Sequence, residues 1–340
     1  MKRSFIVLIA IFAAFNAFSL DFASFQTAYN DFAQDVATSL PFNTSLGLGW
    51  SDAYIGQLFA LPPHLGVGVT VGFTTMPYSA IDRVMSALGN SLPSDLAFAK
   101  EIGMPIPAYT LEARVGGLFL PFDVGVKLGV LPPDAMKSSS FSADYILAGA
   151  DVRYALLQDS IFIPAISIGV GFNYMKGKVA LGGLMNGDIT LANIAIPSGP
   201  IYSISLSDPS LAFDWSTSVF DLKVQISKSL LIITPYLGAA VSYASSSAGG
   251  GLSSHLLVDG SPMTPKQKSD IEQYLLLTGG STVTLTDQGV TVSKNLQGAW
   301  AFRVFGGVSL NLLFIRLDVG AMYNISSKSL GLSGNARLQL

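Results

Sequence analysis

From Ala299 to Leu340 the chain alternates in three successive segments. Trp300, Phe302, Val304, Gly306, Val308 and Leu310 share one parity, and Arg303, Phe305, Gly307 and Ser309 share the other. After a short turn at Asn311, Leu313, Ile315, Leu317, Val319, Ala321 and Tyr323 oppose Phe314, Arg316, Asp318, Gly320 and Met322. The last segment sets Leu330, Leu332, Gly334, Ala336, Leu338 and Leu340 against Ser333, Asn335, Arg337 and Gln339. Period two means strand, because successive side chains point to opposite faces. The pattern recurs over 65–74, 109–117, 122–130, 144–156, 161–174, 211–227 and 231–243. Strands of roughly ten residues are long enough to cross a bilayer when tilted. The predicted fold is all-β: a transmembrane antiparallel up-and-down β-barrel of about 10 strands, with up to about 14 if 45–56 and parts of the loops also pair.

The connections alternate in length. Turns near 121, 158, 228 and 311 are short; those at 75–108, 131–143, 175–210 and 244–298 are long. Outer-membrane barrels combine short periplasmic turns with longer outer loops. An even strand count places both termini on the periplasmic side. Inside the long connections, Tyr78, Ile81, Val84, Met85 and Leu88 suggest helical turns, and Val283–Leu285 with Val290–Val292 suggest a hairpin. Ahead of the barrel (61–340), residues 20–60 break the pattern. Phe22, Phe25, Tyr29, Phe32 and Val36 recur at helical spacing, predicting an amphipathic helix that ends before Pro41. It sits either in the barrel mouth as a plug or beneath the barrel in the periplasm. Ser45–Trp50 is either an extra strand or part of that plug. Residues 1–19 read as a secretory signal peptide: a basic start at Lys2 and Arg3, an apolar core, and Ala17-Phe18-Ser19 as the cleavage site.

Composition sharpens the reading. Charged residues make up 12% of the 340 residues, about half the usual share of a soluble domain. Mean hydropathy is +0.49, yet no apolar run after residue 20 is long enough for a spanning helix of ~20 residues. Aromatics mark the strand ends. Phe73, Tyr109, Tyr174, Tyr243, Trp300 and Tyr323 lie toward the long loops, and Phe122, Tyr154, Phe162 and Phe220 toward the short turns. Two such belts fit two membrane interfaces. Charge falls on the opposite, inward parity: Glu112 and Arg114, Asp123 and Lys127, Asp151 and Arg153, Asp221 and Lys223, Arg316 and Asp318, with Arg303 and Arg337. These twelve predict a charge layer in the periplasmic half of the lumen. It either closes a narrow barrel through paired charges or lines a path for ions and polar solutes.

Enzyme chemistry is weakly represented. The histidines are His64 and His255; Ser253, Ser254, His255 and Asp259 could form a triad on paper, in a loop where serines abound, and the expectation is no enzyme. No metal-ligand spacing, cofactor motif or basic nucleic-acid stripe is present, and there is no cysteine. The exported, alternating chain resembles bacterial outer-membrane β-barrel proteins. Its C-terminal strand looks like the insertion signal of that family, although Leu338-Gln339-Leu340 lacks the terminal aromatic. The helical segment ahead of the strands also resembles FadL-type transporters of hydrophobic molecules, but their Asn-Pro-Ala motif is replaced by Leu61-Pro62-Pro63. The resemblance implies a cell outer-membrane location, lipid and the barrel assembly machinery as partners, and passage or uptake of small, hydrophobic solutes. The rival expectation is a non-transporting surface barrel, an adhesin or structural element.

Overall fold

The computed structural model describes residues 22–61, 63–79, 82–83, 99–132, 141–181, 189–195, 200–279, 284–286 and 289–340. The expected signal peptide and the helical positions Ile81, Val84, Met85 and Leu88 lie outside them.

Helix α1 (Phe22–Asn43) comes first, followed by β1 (Leu65–Met76), the short α2 (Ala99–Ile102), β2 (Met104–Gly116), β3 (Phe122–Leu131), β4 (Phe141–Leu157) and β5 (Ala165–Leu181). Then come β6 (Ile189–Ala195), β7 (Ile201–Ser227), β8 (Ile233–Val258), β9 (Ser261–Pro262), α3 (Pro265–Gly279) and β10 (Thr284–Thr286). The chain ends in β11 (Gly289–Leu312), β12 (Ile315–Asn324) and β13 (Ser329–Gln339). Ten of the strands close into one antiparallel barrel, with β6, β9 and β10 attached outside the ring. The last barrel strand closes on the first, from Gly66 opposite Gln339 to Thr74 opposite Gly331.

Burial is inverted relative to a protein dissolved in water. Val71, Leu111, Val170 and Val319 are between 57% and 69% exposed, while Thr110 and Asp123, on the opposite parity, are 0% exposed. An apolar exterior around a polar interior is stable only where the surrounding medium is lipid. Among the described residues no helix is long and apolar enough to cross a membrane; the strands make the crossing.

Several strands overrun the sequence-based bounds at the long-loop end, β7, β8 and β11 the furthest. β7 pairs with β8 from Ile204–Val258 down to Ser227–Tyr236, and β8 pairs with β11 along almost its whole length. They form a tall wall standing above the rest of the rim. Alternation is weak there because Ser245–Ser247 and Gly249–Gly251 put small residues on both faces; beyond the lipid, no medium enforces a parity. The hairpin expected near 283–292 is present as β10 against the start of β11, with Leu285 opposite Val290.

Two expectations about the N-terminal segment change. α1 continues through Pro41, which lies in its last turn. Residues 45–56, offered as an extra strand, form none. The C-terminus lies at the short-turn end as expected, but α1 lies at the opposite, long-loop end. The chain then descends through the lumen to reach β1.

Candidate functional site

The inward parity of the lower strands brings charged side chains together. Arg114 on β2 is 2% exposed, and its guanidinium donates to Asp123 on β3 (2.5 Å) and Asp151 on β4 (2.7 Å). Arg153 on β4 grips both Asp123 oxygens, each at 2.8 Å. Lys223 on β7 pairs with Asp151, and Arg303 on β11 pairs with Asp221 at 2.8 Å. Arg337 on β13 pairs with Asp318 on β12. All twelve residues singled out from the sequence therefore point into the lumen. Among the described residues, the ion pairs that these lumen side chains make with one another run between strands rather than between the same-strand neighbours of the sequence pattern. Asp123 and Arg153 stand directly opposite each other, whereas Arg114–Asp151, Lys223–Asp151 and Arg303–Asp221 each reach across an intervening strand.

Glu112, Lys127 and Arg316 complete their bonding through the segment that fills the lumen. Glu112 accepts from Trp50 Nε1 and Thr110 Oγ1, both at 2.7 Å. Lys127 Nζ donates to the carbonyls of Thr44 (2.6 Å) and Leu46 (2.7 Å). Arg316 approaches Asp52 at 4.0 Å.

The path of residues 43–58 is fixed by these bonds. Asn43 Nδ2 donates to Thr74 Oγ1 and the Ile106 carbonyl, at the outer ends of β1 and β2. Lower down, Trp50 is fully buried, with Arg337 at 4.8 Å and Arg114 at 5.6 Å from its ring centre, an arrangement attractive through the ring's negative face. Gln225 donates to the Trp50 and Ser51 carbonyls. Asp52 accepts from Arg337 (2.9 Å) and Gln339 (3.1 Å), and its carbonyl accepts from Arg153 at 2.6 Å. The Ala53 amide donates to Ser227, the Ile55 amide to Asp123, and the Leu58 amide to Gly117 at the first short turn. Gly47 and Gly56 have φ of +84° and +106°. A Cβ at either would stand 2.5 Å from Thr110 or His64, so glycine is what lets the segment pass so near the wall.

The outer half of the lumen has another character. α1 packs against β8, β11, β1 and β7, burying Ala33, Val36, Ala37 and Leu40, with Phe42 beneath them. Phe32 meets Phe213 edge-on with ring centres 5.1 Å apart. Leu147, Met175 and Val219, inward residues of β4, β5 and β7, are buried at the same level. On the solvent side Arg83 bonds Asp35 and approaches Asp31 at 3.6 Å. Burial raises the Asp35 carboxyl above its ordinary range, against the pull of Arg83.

Beside the filled lumen a cavity of about 50 Å³ remains, bordered by Ser45, Gly47, Lys223, Tyr236, Arg303 and Asp318. That is room for a few waters, far less than the ~300 Å³ of a small-molecule pocket. One stretch of wall is also incomplete. The β2–β3 ladder stops at Leu111–Leu128. Gly117, an odd-numbered residue, directs its amide to Phe122, on the β3 side. Pro105 and Pro107 share that direction and have no amide hydrogen to give. The Tyr109 amide instead donates to Tyr145 Oη at 3.2 Å, and Tyr109 Oη bonds the Val130 carbonyl.

Sequence reasoning missed the partners that the filling segment supplies: Asn43, Trp50, Ser51, Asp52 and its backbone carbonyls. A tryptophan and an aspartate in a glycine-rich, weakly alternating stretch were the available signal. Ser253, Ser254 and His255 lie on β8, with side chains outside those described, and Asp259 accepts from the Ser203 amide at 2.9 Å.

No protein-family model matches the chain, and no curated protein matches it. Among solved structures it is similar to the outer membrane protease OmpT from Escherichia coli, at 8% identity, 82% of this chain, 97% of that one and a TM-score of 0.42. It is also similar to the translocator domain of the autotransporter NalP from Neisseria meningitidis, at 11% identity, 92% and 98% coverage and a TM-score of 0.37. A third similarity is to a Pseudomonas aeruginosa FadL homologue, at 9% identity, 87% and 98% coverage and a TM-score of 0.27.

Proposed function

We propose that this outer-membrane β-barrel is a sealed, non-conducting surface protein whose working face is its outer end. The observation that carries the reading is the descent of residues 43–58 through the lumen, bonded at every level to the inward charges. Among the described residues, a segment held by Lys127, Arg153, Gln225 and Arg337 occupies the lumen, and the cavity beside it is of water size. The tall β7–β8–β11 wall, with α1 against it, then becomes the part presented to the surroundings.

The experiment is single-channel recording in a planar bilayer. The intact chain is expected to be silent, and a variant lacking residues 44–56 should show discrete conductance steps. Steady conductance from the intact chain would overturn the reading. Passage of a small apolar solute is the second reading. It is favoured by the interrupted β2–β3 ladder, beside the apolar outer half of the lumen. Uptake of such a solute by vesicles holding the intact, non-conducting protein would favour it.

A further inference from the structure

The four short turns share a chemistry that the sealed lumen does not explain. Each carries large apolar side chains exposed at its tip. Phe119 is 82% exposed, Phe162 91%, Leu231 97% and Leu313 91%, and Leu118, Leu120, Ile161, Ile163, Ile232 and Phe314 flank them. The motif is nearly repeated, as Leu-Phe-Leu-Pro at 118–121 and Ile-Phe-Ile-Pro at 161–164. Polar turn residues are the norm where a turn meets water. A ring of apolar tips in water would be a liability.

A second observation concerns the backbone. Many carbonyls that flank the turn tips are bonded within the protein. Those of Gly117, Leu120 and Pro121 accept from the amides of Leu58, Phe122 and Ala155. The Ile232 and Phe314 carbonyls accept from Asn311 and Gln339 on neighbouring elements. Side chains cap others: Gln57 donates to the Phe119 carbonyl at 2.9 Å, and Lys228 Nζ to those of Ser160 and Ile163. Lys228 and Asp159, the charged residues of the turns, pair with each other across two of them at 2.8 Å. Turns in water have no need of so many internal partners, whereas backbone leaving water does.

A third observation is length. Below the outer aromatic belt, the wall from Tyr109 to Gly116 on β2 and from Tyr323 to Ile315 on β12 runs only about eight or nine residues, at or under the ~9–11 that a tilted strand needs. The apolar turns make up the difference.

We propose that the short turns form an apolar collar seated in the periplasmic leaflet of the bilayer, so that the partner of this surface is lipid. The collar is continuous with the lipid-facing wall, and its charges are already neutralised. Phe122 and Tyr154 then lie inside the hydrocarbon rather than at its edge, whereas Phe220, expected at the short-turn end, stands opposite Tyr243 in the outer belt; the charged layer of the lumen sits near mid-membrane. The inference does not depend on whether the lumen conducts.

The chain has no cysteine, so a nitroxide can be placed singly on the full-length protein in phospholipid vesicles. Labels would go at Phe162, Leu231 and Leu313, with Val126 as a lipid-facing reference and Ser327, in the short outer turn, as a water-facing one. Collision rates with oxygen and with a water-soluble nickel chelate are then compared. The tip labels are expected to match Val126, with a nickel-to-oxygen ratio several-fold below that at Ser327. Ratios equal to that at Ser327 would overturn the proposal. So would tips that are open to nickel in pure vesicles and protected only in native membranes, since they would then dock on a periplasmic protein. Conductance recorded on the same vesicles separates this outcome from any failure of the sealed-lumen reading.

Discussion

The two halves of the lumen are filled by different physics. The lower half is a network of ion pairs and hydrogen bonds in which Asp123 serves Arg114, Arg153 and the Ile55 amide together. The upper half holds α1 through apolar contact, with one exposed ion-pair cluster at Arg83. Directional bonds fix the register of residues 43–58, because a one-residue slip would leave buried charges without partners, and each such charge is costly. Apolar contact is non-directional and tolerates small displacements of α1. The lower half therefore specifies the seal, and the upper half only covers it. Opening should begin above and proceed downward.

Removing a shared anion breaks the lower network most severely. Asp123→Ala should destabilise the barrel by about 3–5 kcal/mol, the usual cost of stripping one partner from a buried pair. Urea unfolding in detergent measures it, and a change under about 1 kcal/mol would mean the network is solvated rather than buried. In the upper half, Leu147→Ala removes an apolar side chain that is fully buried on β4. It should cost about 2–4 kcal/mol as a cavity, without producing conductance because the seal lies below it.

Leu40→Ala on α1 separates helix docking from barrel stability. Hydrogen exchange should quicken over 28–43 while 46–56 keep their protection, in line with local opening of the weaker unit. Equal acceleration of both stretches would show that the halves act as one. The smallest effect is expected at Arg83→Ala. Its pairs with Asp31 and Asp35 are partly exposed, so the loss should stay below about 1 kcal/mol. Salt near 1 M should mimic the substitution in the wild type, because such pairs are screened, and should leave the lower network unchanged.

The legibility of the chain follows the same division. Wall residues such as Val67, Leu111 and Val319 face lipid and their neighbours face the lumen, so period two survived intact in the sequence and gave the ten strands, the short turns and the inward charges. Legibility failed where a second medium no longer imposed a parity. Above the lipid, β7, β8 and β11 read as loop because serine and glycine occupy both faces.

Local pattern determined the wall because each strand answers only to what lies on its two faces. Tertiary structure alone decided which charges pair, since Arg114 meets Asp123 and Asp151 only when β2, β3 and β4 lie side by side. It alone decided the course of residues 43–58, since the weak alternation around Trp50 does not say what it packs against, and Trp50 and Asp52 take their place only from Glu112, Arg337 and Gln225 on distant strands. A barrel wall is specified by period, and its contents by partners that exist only once the barrel has closed.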